Sequence, residues 1–152
     1  EEEEEEEEES GDITYAMALT RPPGHHATKQ KSNGFCIFNF AAASALHAMS
    51  SSSLHHHPNL KVSILDWDVH YGQGVADIIV DFPNARYVSI HQNPAYPYMG
   101  KQRKVHGRYK NVLTVPIPAE STWTCGYREI FETVALPFLI NNNDDEEEEE
   151  KW

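Results

Sequence analysis

The chain has 152 residues, enough for about one globular domain, and its formal net charge is −12. Residues 1–9 and 144–150 hold 16 of the 24 acidic residues, whereas the sequence between them carries 8 acidic and 11 basic ones. Composition therefore divides the chain into an acidic tail (1–10), a weakly basic domain (11–140) and a tail or insertion rich in Asn, Asp and Glu (141–152). Acidic runs repel themselves and bury no apolar surface. We interpret both as solvated tails or as insertions in a longer chain, with binding to basic proteins such as histones a less favoured alternative.

The two cysteines, Cys36 and Cys125, are too few for a disulfide framework. No apolar stretch approaches the ~20 residues that a membrane-spanning helix needs, and the acidic start is the opposite of a basic signal-peptide start. The sequence therefore predicts a soluble intracellular protein of a reducing compartment that does not associate with membranes.

Apolar runs and helix-prone segments alternate along the domain. The apolar runs predict four strands, at residues 13–19, 62–65, 87–90 and 112–117. The segments between them predict three helices and two loops, the helices at 38–49, 74–80 and 125–140 and the loops at 50–58 and 93–109. This alternation predicts an α/β fold with a parallel sheet, in which ligands bind beyond the carboxyl ends of the strands.

Two carboxylates and an imidazole alternate directly after the second predicted strand, as Asp66, Asp68 and His70. Alternate side chains of an extended chain share one face, so these groups could converge on a divalent ion such as zinc. A second interpretation stays open, in which a turn aspartate and an unrelated histidine merely stand close in sequence. Gly72 and Gly74 follow, and they permit a tight turn or a close backbone approach.

Two adjacent imidazoles, His25 and His26, follow a rigid Pro-Pro-Gly turn after the first predicted strand. Neighbouring histidines that differ in burial and partners can have separated pKa values, so that one takes a proton from water while the other stays charged. Asp66 could orient one of the two rings. A pair of structural or surface histidines is the alternative interpretation of this pattern.

Two other polar segments carry weaker signals. Residues 55–57 are histidines between a serine run and a proline, which indicates a solvated loop. The segment 101–110 holds five basic residues with Tyr98 and Tyr109 beside them, and we interpret it as a solvated rim loop without direct nucleic-acid binding. The sequence contains neither a Gly-x-Ser-x-Gly turn nor a glycine-rich phosphate loop.

Taken together, these motifs resemble the zinc-dependent histone deacetylase family, which has the arginase/deacetylase fold. The likeness extends from about residue 14 to residue 140 and is closer to class II-like and bacterial relatives than to class I. It rests on five motifs in order along the chain, at 21–27, 34–36, 65–74, 88–91 and 115–118. The resemblance implies a three-layer αβα fold with a mainly parallel sheet, of which this chain holds only part.

The resemblance also implies a role for each matching residue. Asp68 and His70 match two zinc ligands, His26 matches the general base, and His25 matches its protonated neighbour, with Asp66 behind His25. The remaining matches are to the substrate site, at Gly34, Phe35 and Tyr98, and to a structural K⁺ site, at Asp66, Asp68, His70, Ser89 and Ile90.

The implied reaction is zinc-dependent hydrolysis of the amide of acetyl-lysine in histones or other proteins. Acetylated histone tails and a corepressor complex are the implied partners, and the nucleus, the cytoplasm or both are the implied compartments. The 152-residue chain lacks the third zinc ligand and the downstream catalytic tyrosine of the family, so we expect little activity from it alone. Gln73 stands where the family has Asp or Asn behind the general base, and a longer amide could support that base poorly.

Three other functions stay open from the sequence. The first is hydrolysis of acetylpolyamines or other small amides on the same fold, which depends on the loop after His91. The second is a non-catalytic module that binds acyl-lysine or protein partners, because two protein ligands hold zinc weakly. The third, manganese arginase chemistry, is disfavoured because it needs more bridging carboxylates than the chain offers.

Overall fold

The computed structural model describes residues 15–50 and 60–140 of the protein. The elements in chain order are α1 Phe40–Ser50, β1 Val62–Asp66, α2 Gln73–Ile79, β2 Ala85–Gln92, β3 Lys104–His106, β4 Val112–Ile117, α3 Tyr127–Ile130, a π-helical turn Phe131–Ala135 and α4 Leu136–Ile140. The tails predicted at 1–10 and 141–152, and the histidines at 55–57, lie outside the described residues.

The four strands form one sheet in the order β1-β2-β4-β3. β1 pairs with β2 and β2 with β4 in parallel, whereas β3 pairs with β4 in antiparallel direction. Helices α1 and α2 cover one face, around Ile79 and Tyr87, and the helical segment 127–140 covers the other, around Ile90 and Val115. The predicted three-layer αβα fold with a mainly parallel sheet is confirmed.

The first predicted strand is wrong for the residues that the structure describes. Residues 15–20 have no regular secondary structure, and Tyr15, Met17 and Leu19 are each at least 85% exposed. An alternating apolar run becomes a strand only where a neighbouring strand takes up its hydrogen bonds, and no described strand pairs with this segment. The local sequence pattern therefore overestimated the sheet by one strand.

The short strand β3 lies in the segment that the sequence predicted to be entirely loop. Its three residues carry no buried apolar side chain, because β3 is the edge of the sheet and pairs only with β4. The Thr114 hydroxyl on β4 contacts the carbonyl oxygens of Gln102 (2.8 Å) and Lys104 (3.2 Å) at the start of this strand. Edge strands of this kind leave little hydrophobic pattern in the sequence.

Asn111 lies directly before β4 and links the amino end of that strand to the start of β2. Its buried amide nitrogen lies 2.9 Å from the carbonyl oxygen of Ile79, 3.0 Å from that of Phe82 and 2.9 Å from that of Ala85. One side chain thus links the end of α2, the following turn and the start of β2. Among the described residues, no helix is long and apolar enough to cross a membrane.

Candidate active site at the carboxyl ends of the parallel strands

The candidate metal ligands lie on a turn that directly follows β1. The Asp68 amide donates to Asp66 Oδ1 (3.1 Å), and the His70 amide donates to Asp68 Oδ1 (2.7 Å). These two aspartate turns curl the chain, so the extended geometry expected through His70 ends at Asp66. Asp66 points into the protein, whereas Asp68 and His70 are about half exposed and bring Oδ1 and Nδ1 to 3.2 Å of one another.

His25 belongs to a buried hydrogen-bond network around Asp66. Its Nδ1 lies 2.9 Å from Asp66 Oδ2, which also accepts from the Tyr87 hydroxyl at 2.8 Å. Burial by itself lowers the pKa of His25, but the hydrogen bond and charge of Asp66, helped by the charge of Asp68, more than offset this and leave the pKa raised. A methyl group on Gly72 would overlap the Asp66 carboxylate and the Tyr87 hydroxyl, so the network requires glycine there.

His26 has the opposite electrostatic environment. Burial is the main cause that lowers its pKa, the hydrogen bond to Gln73 opposes the change, and the charges of His25 and His70 lower the pKa further. Its Nδ1 donates to Gln73 Oε1 at 2.7 Å, and Gln73 Nε2 donates to the His26 carbonyl at 3.3 Å. These bonds place the ring proton on Nδ1 and leave Nε2 free to accept one. Gln73 is one carbon longer than the Asp or Asn expected at this position, and its amide oxygen still reaches the ring.

The two histidines face a cavity of about 630 Å³. Its wall is formed by residues from four segments of the chain, namely Pro23, His25, His26, Gly34, Phe35, Asp68, His70 and Tyr96. Gly34 and Phe35 form a tight turn with positive φ angles of 51° and 65°, and a methyl group on Gly34 would overlap the His26 ring. This close approach holds the turn against the His26 ring, and the Phe35 ring is 92% exposed at the mouth of the cavity.

The structure corrects the aromatic wall predicted at Tyr98. The ring on the cavity is that of Tyr96, which lies edge-on to His26 with centroids 4.9 Å apart and contacts Asn33 Oδ1 through its hydroxyl (3.0 Å). The Tyr98 ring is 67% exposed and does not line the cavity. A tight turn, closed by the Tyr98 amide on the Ala95 carbonyl (2.8 Å), reverses the chain between the two tyrosines. The aromatic ring on the cavity thus lies two residues before the predicted position.

Three of the residues expected to hold K⁺, Asp66, Ser89 and Ile90, lie on the neighbouring strands β1 and β2. Ser89 on β2 pairs in register with Asp66 on β1, and it is fully buried, as is Ile90 beside it. The Ser89 hydroxyl lies 3.0 Å from His91 Nδ1, and His91 Nε2 lies 3.0 Å from the Gly100 carbonyl. His91 therefore connects β2 to the loop that follows it, which is a structural role.

Asp68 and His70 offer one carboxylate oxygen and one imidazole nitrogen on the cavity wall. This donor pair suits zinc, which binds oxygen and nitrogen ligands and takes three protein ligands in catalytic sites. Within residues 15–50 and 60–140, no group of three or more His, Cys, Asp or Glu side chains is placed to hold a metal ion. The pair therefore fits part of a zinc site.

The sequence matches the Histone deacetylase domain over residues 6–143. The chain belongs to the histone deacetylase family. It is 40% identical over 123 residues to the uncharacterized protein slr0245 of Synechocystis, which covers 81% of this chain and 38% of that protein. Its fold matches a crystal structure of the HDA15 HD domain with a TM-score of 0.64 and 33% identity, over 77% of this chain and 34% of that one.

A second solved structure, acetylpolyamine aminohydrolase from Burkholderia pseudomallei, matches with a TM-score of 0.60 and 31% identity, over 78% of this chain and 34% of that one. The chain thus spans less than two fifths of the length of each of these three relatives. The chain is a member of a deacetylase superfamily of amidohydrolases. The names of its relatives refer to two substrate classes, histones and polyamines.

Two residues of the site carried no signal in the sequence analysis. Tyr87 lies inside a predicted strand, where a buried aromatic residue is expected for packing alone. Its hydroxyl contact with Asp66 joins residues 21 positions apart. Tyr96 lies in the loop assigned as polar, two residues from the tyrosine that the motif favoured. Asn93-Pro94-Ala95-Tyr96-Pro97 holds a second aromatic residue before a proline, and weighing both tyrosines would have found it.

Proposed function

We propose that this chain supplies one half of the active site of a zinc-dependent amidohydrolase that cleaves the amide of acetyl-lysine in histones or other proteins. One observation carries the proposal. A neutral imidazole with a free Nε2, that of His26, shares a cavity wall with the carboxylate–imidazole pair Asp68 and His70. A general base beside a pair of metal ligands is an arrangement that metal-assisted amide hydrolysis uses.

Each residue of the cavity then has a defined task. His26 accepts a proton from the attacking water at Nε2, because Gln73 holds the other ring proton on Nδ1. His25 keeps its proton through Asp66 and places positive charge beside the reaction centre. Asp68 and His70 would hold Zn²⁺ together with ligands supplied from outside the described residues, and zinc would supply Lewis-acid activation of the amide carbonyl and of water.

The substrate side of the proposal uses the turn over His26. Gly34 offers its carbonyl oxygen to the substrate amide, and the rings of Phe35 and Tyr96 flank the acyl-lysine chain. Both rings lie on the cavity that the histidines line. The oxyanion donor of the reaction is not assigned to any residue of this chain.

The structural part of the proposal is a K⁺ ion held by Asp66, Asp68, His70, Ser89 and Ile90. The register that sets Ser89 beside Asp66 supports it. We further propose acetylated histone tails and a corepressor complex as partners, and action in the nucleus, the cytoplasm or both.

A second candidate is hydrolysis of acetylated polyamines, favoured by the likeness to acetylpolyamine aminohydrolase. Polyamines are polycations, which anionic sites attract. Residues 82–119, which include the loop bearing Tyr96, hold no Asp or Glu and six Lys and Arg residues. This charge disfavours a polyamine, and it equally disfavours a strongly basic histone tail, so among proteins it favours acetyl-lysine segments of low positive charge.

The test compares variants of the native polypeptide that contains this chain, with an acetyl-lysine peptide and an acetylated polyamine as substrates. His26→Ala is expected to lower kcat about 10²–10⁴-fold and to leave zinc bound, because it removes only a general base. Asp68→Ala is expected to lose zinc, as measured by elemental analysis. His47→Ala, which changes an exposed histidine on α1, is the matched control and should alter neither quantity.

Each of these expectations can be refuted by a specific result. Full turnover by His26→Ala would refute its role as the base, and unchanged zinc in Asp68→Ala would refute the ligand assignment. Faster turnover of the polyamine than of the peptide would favour the second candidate. If the native polypeptide binds no zinc and cleaves neither substrate but still binds the acetyl-lysine peptide, a non-catalytic module is the better assignment.

A further inference from the structure

Five basic side chains lie along the free edge of the sheet. They flank or belong to the edge strand β3, and all five are exposed: Lys101, Arg103, Lys104, Arg108 and Lys110. We call them the basic edge. Because β3 pairs with β4 on one side only, its outer side is uncovered among the described residues.

The positive charge of this edge is uncompensated within the described part of the chain. None of the five side chains forms an ion pair with a described carboxylate, and the Arg108 guanidinium lies over the Tyr109 ring instead, 5.6 Å from its centroid. Residues 82–119 contain no acidic residue at all. Burial, with the charge of Lys104 as a second cause, lowers the pKa of His106 on the same strand. The edge is therefore suited to an anionic partner.

Helix α4 ends on the same side of the sheet as Arg108 and Lys110 of the basic edge. The Leu139 carbonyl accepts from the Ser63 hydroxyl (2.8 Å), which places the end of α4 at the amino end of β1. The loop that bears Arg108 and Lys110 leads into β4 at this end, where the Asn111 carbonyl accepts from the Tyr87 amide (2.9 Å). Strands lie about 4.8 Å apart, so two to three strand spacings, about 10–15 Å, separate the two positions.

The sequence after Ile140 is long enough to cover this distance, and its negative charge is opposite to that of the basic edge. Three asparagines follow Ile140, and the seven residues 144–150 are all Asp or Glu. A chain extends at most about 3.3–3.6 Å per residue, so the first acidic residue reaches about 14 Å from Ile140. The acidic run extends up to about 22 Å further, enough to follow the edge from Lys110 towards Lys101.

We propose that the basic edge binds the C-terminal acidic tract, residues 144–150, of the same chain. Exposed ion pairs are individually weak, so the contact depends on several pairs formed together. A short tether gives the tract an effective concentration in the millimolar range, so the tract outcompetes free polyanions of similar affinity that are present at lower concentrations. The docked tract neutralises the edge and covers the outer side of β3.

Zero-length carbodiimide coupling, which joins lysine amines to carboxylates in direct contact, tests the proposal on the whole 152-residue chain. Coupled peptides are identified by mass spectrometry from the monomer fraction. The expected products join Lys101, Lys104 or Lys110 to residues 144–150. Their yield should fall several-fold between about 0.01 M and about 1 M salt, because the Debye length shortens from about 30 Å to about 3 Å.

Variants that spare the reacting lysines sharpen the test. The double change Arg103→Gln and Arg108→Gln removes two charges from the edge and should lower the yield several-fold. Arg128→Gln is the matched control, since it removes an exposed arginine on α3 that pairs with Glu132, and it should leave the yield unchanged. Circular dichroism checks that each variant keeps its fold, and the wild-type products need no variant at all.

Three outcomes would overturn the proposal. The first is equal coupling of residues 144–150 to Lys29 or Lys31, or coupling of the edge mainly to residues 1–9. The second is coupling only between isotopically labelled and unlabelled copies, which would assign the contact to a second molecule. The third is loss of the products when one equivalent of a single-stranded oligonucleotide is added at about 0.15 M salt, which would assign the edge to nucleic acid.

Discussion

The hydrogen bond between His26 and Gln73 offers the sharpest test of how this site sets the protonation of the base that we propose. The substitution Gln73→Glu keeps the size of a side chain that is 8% exposed and replaces its amide by a carboxylate. The change brings a full negative charge to the position that now lies 2.7 Å from His26 Nδ1. It perturbs the charge at the ring while the packing stays nearly the same.

The expected magnitude follows from that distance. The charge centres of two groups joined by such a hydrogen bond lie about 4 Å apart, and unit charges at that distance interact by about 4 kcal/mol at an effective dielectric constant of about 20. An opposite charge this close shifts the pKa of its partner by about 1–3 units towards the charged form. The pKa of His26 should therefore rise, because the imidazolium gains a counter-ion. Protonated His26 cannot accept a proton, so the acid limb of the kcat/KM profile should move to higher pH by about 1–3 units.

Two assays measure this effect independently. The imidazole C–H resonances of the metal-free 152-residue chain, assigned with the His26→Ala variant, report the titration of His26 directly by NMR. The pH profile of deacetylation by the native polypeptide reports the same group during turnover. Gln30→Glu, which places the same charge at an exposed position, is the control and should leave both measurements unchanged. An unchanged or lowered pKa of His26 in Gln73→Glu would refute the assignment of Gln73 as its partner.

Four further substitutions test the packing of the site and of the fold that carries it, each by urea denaturation of the chain. Gly34→Ala should cost about 2–4 kcal/mol, because it adds a methyl group against the His26 ring at a φ of 51°. Gly126→Ala has a φ of 89° and open space around the new methyl group, so it should cost only about 1–2 kcal/mol, and equal losses would refute the steric argument. Asn111→Ala should cost about 1–3 kcal/mol, since it removes a buried donor that three carbonyl oxygens share, two of which keep a backbone donor, and a loss below about 0.5 kcal/mol would contradict this. Tyr87→Phe removes one buried hydroxyl and should cost about 1–2 kcal/mol, whereas a neutral result would show that the carboxylate beneath His25 does not need it.

The fold was predictable from the sequence wherever the pattern of apolar residues coincides with burial. The strands Val62–Asp66 and Val112–Ile117 are apolar runs with polar boundaries, and the structure places them within one residue of the prediction. Helix Phe40–Ser50 also agrees, because its alanine-rich sequence favours helix without help from distant contacts. Residues 15–20 and β3 did not agree, because strand formation depends on a partner that the local sequence does not encode.

The candidate site divides in the same way. The motifs assigned Asp68, His70 and the two histidines to one site, and the family of the chain followed from the order of those motifs. The turn beyond β1 differs from the extended geometry expected, since the Asp66 and Asp68 carboxylates accept backbone amides two residues further on. Side chains that satisfy the local backbone override simple alternation.

The sequence by itself thus determined the family and the α/β class, and it supplied the candidate residues for metal binding and proton transfer, because these depend on residue type and order along the chain. Only the tertiary structure decided which way each pKa moves and which tyrosine faces the cavity. The partners of His25 and His26 are Asp66 and Gln73, 41 and 47 residues away. A histidine keeps or loses its proton according to the groups packed against its ring, and the fold brings those groups from distant parts of the chain.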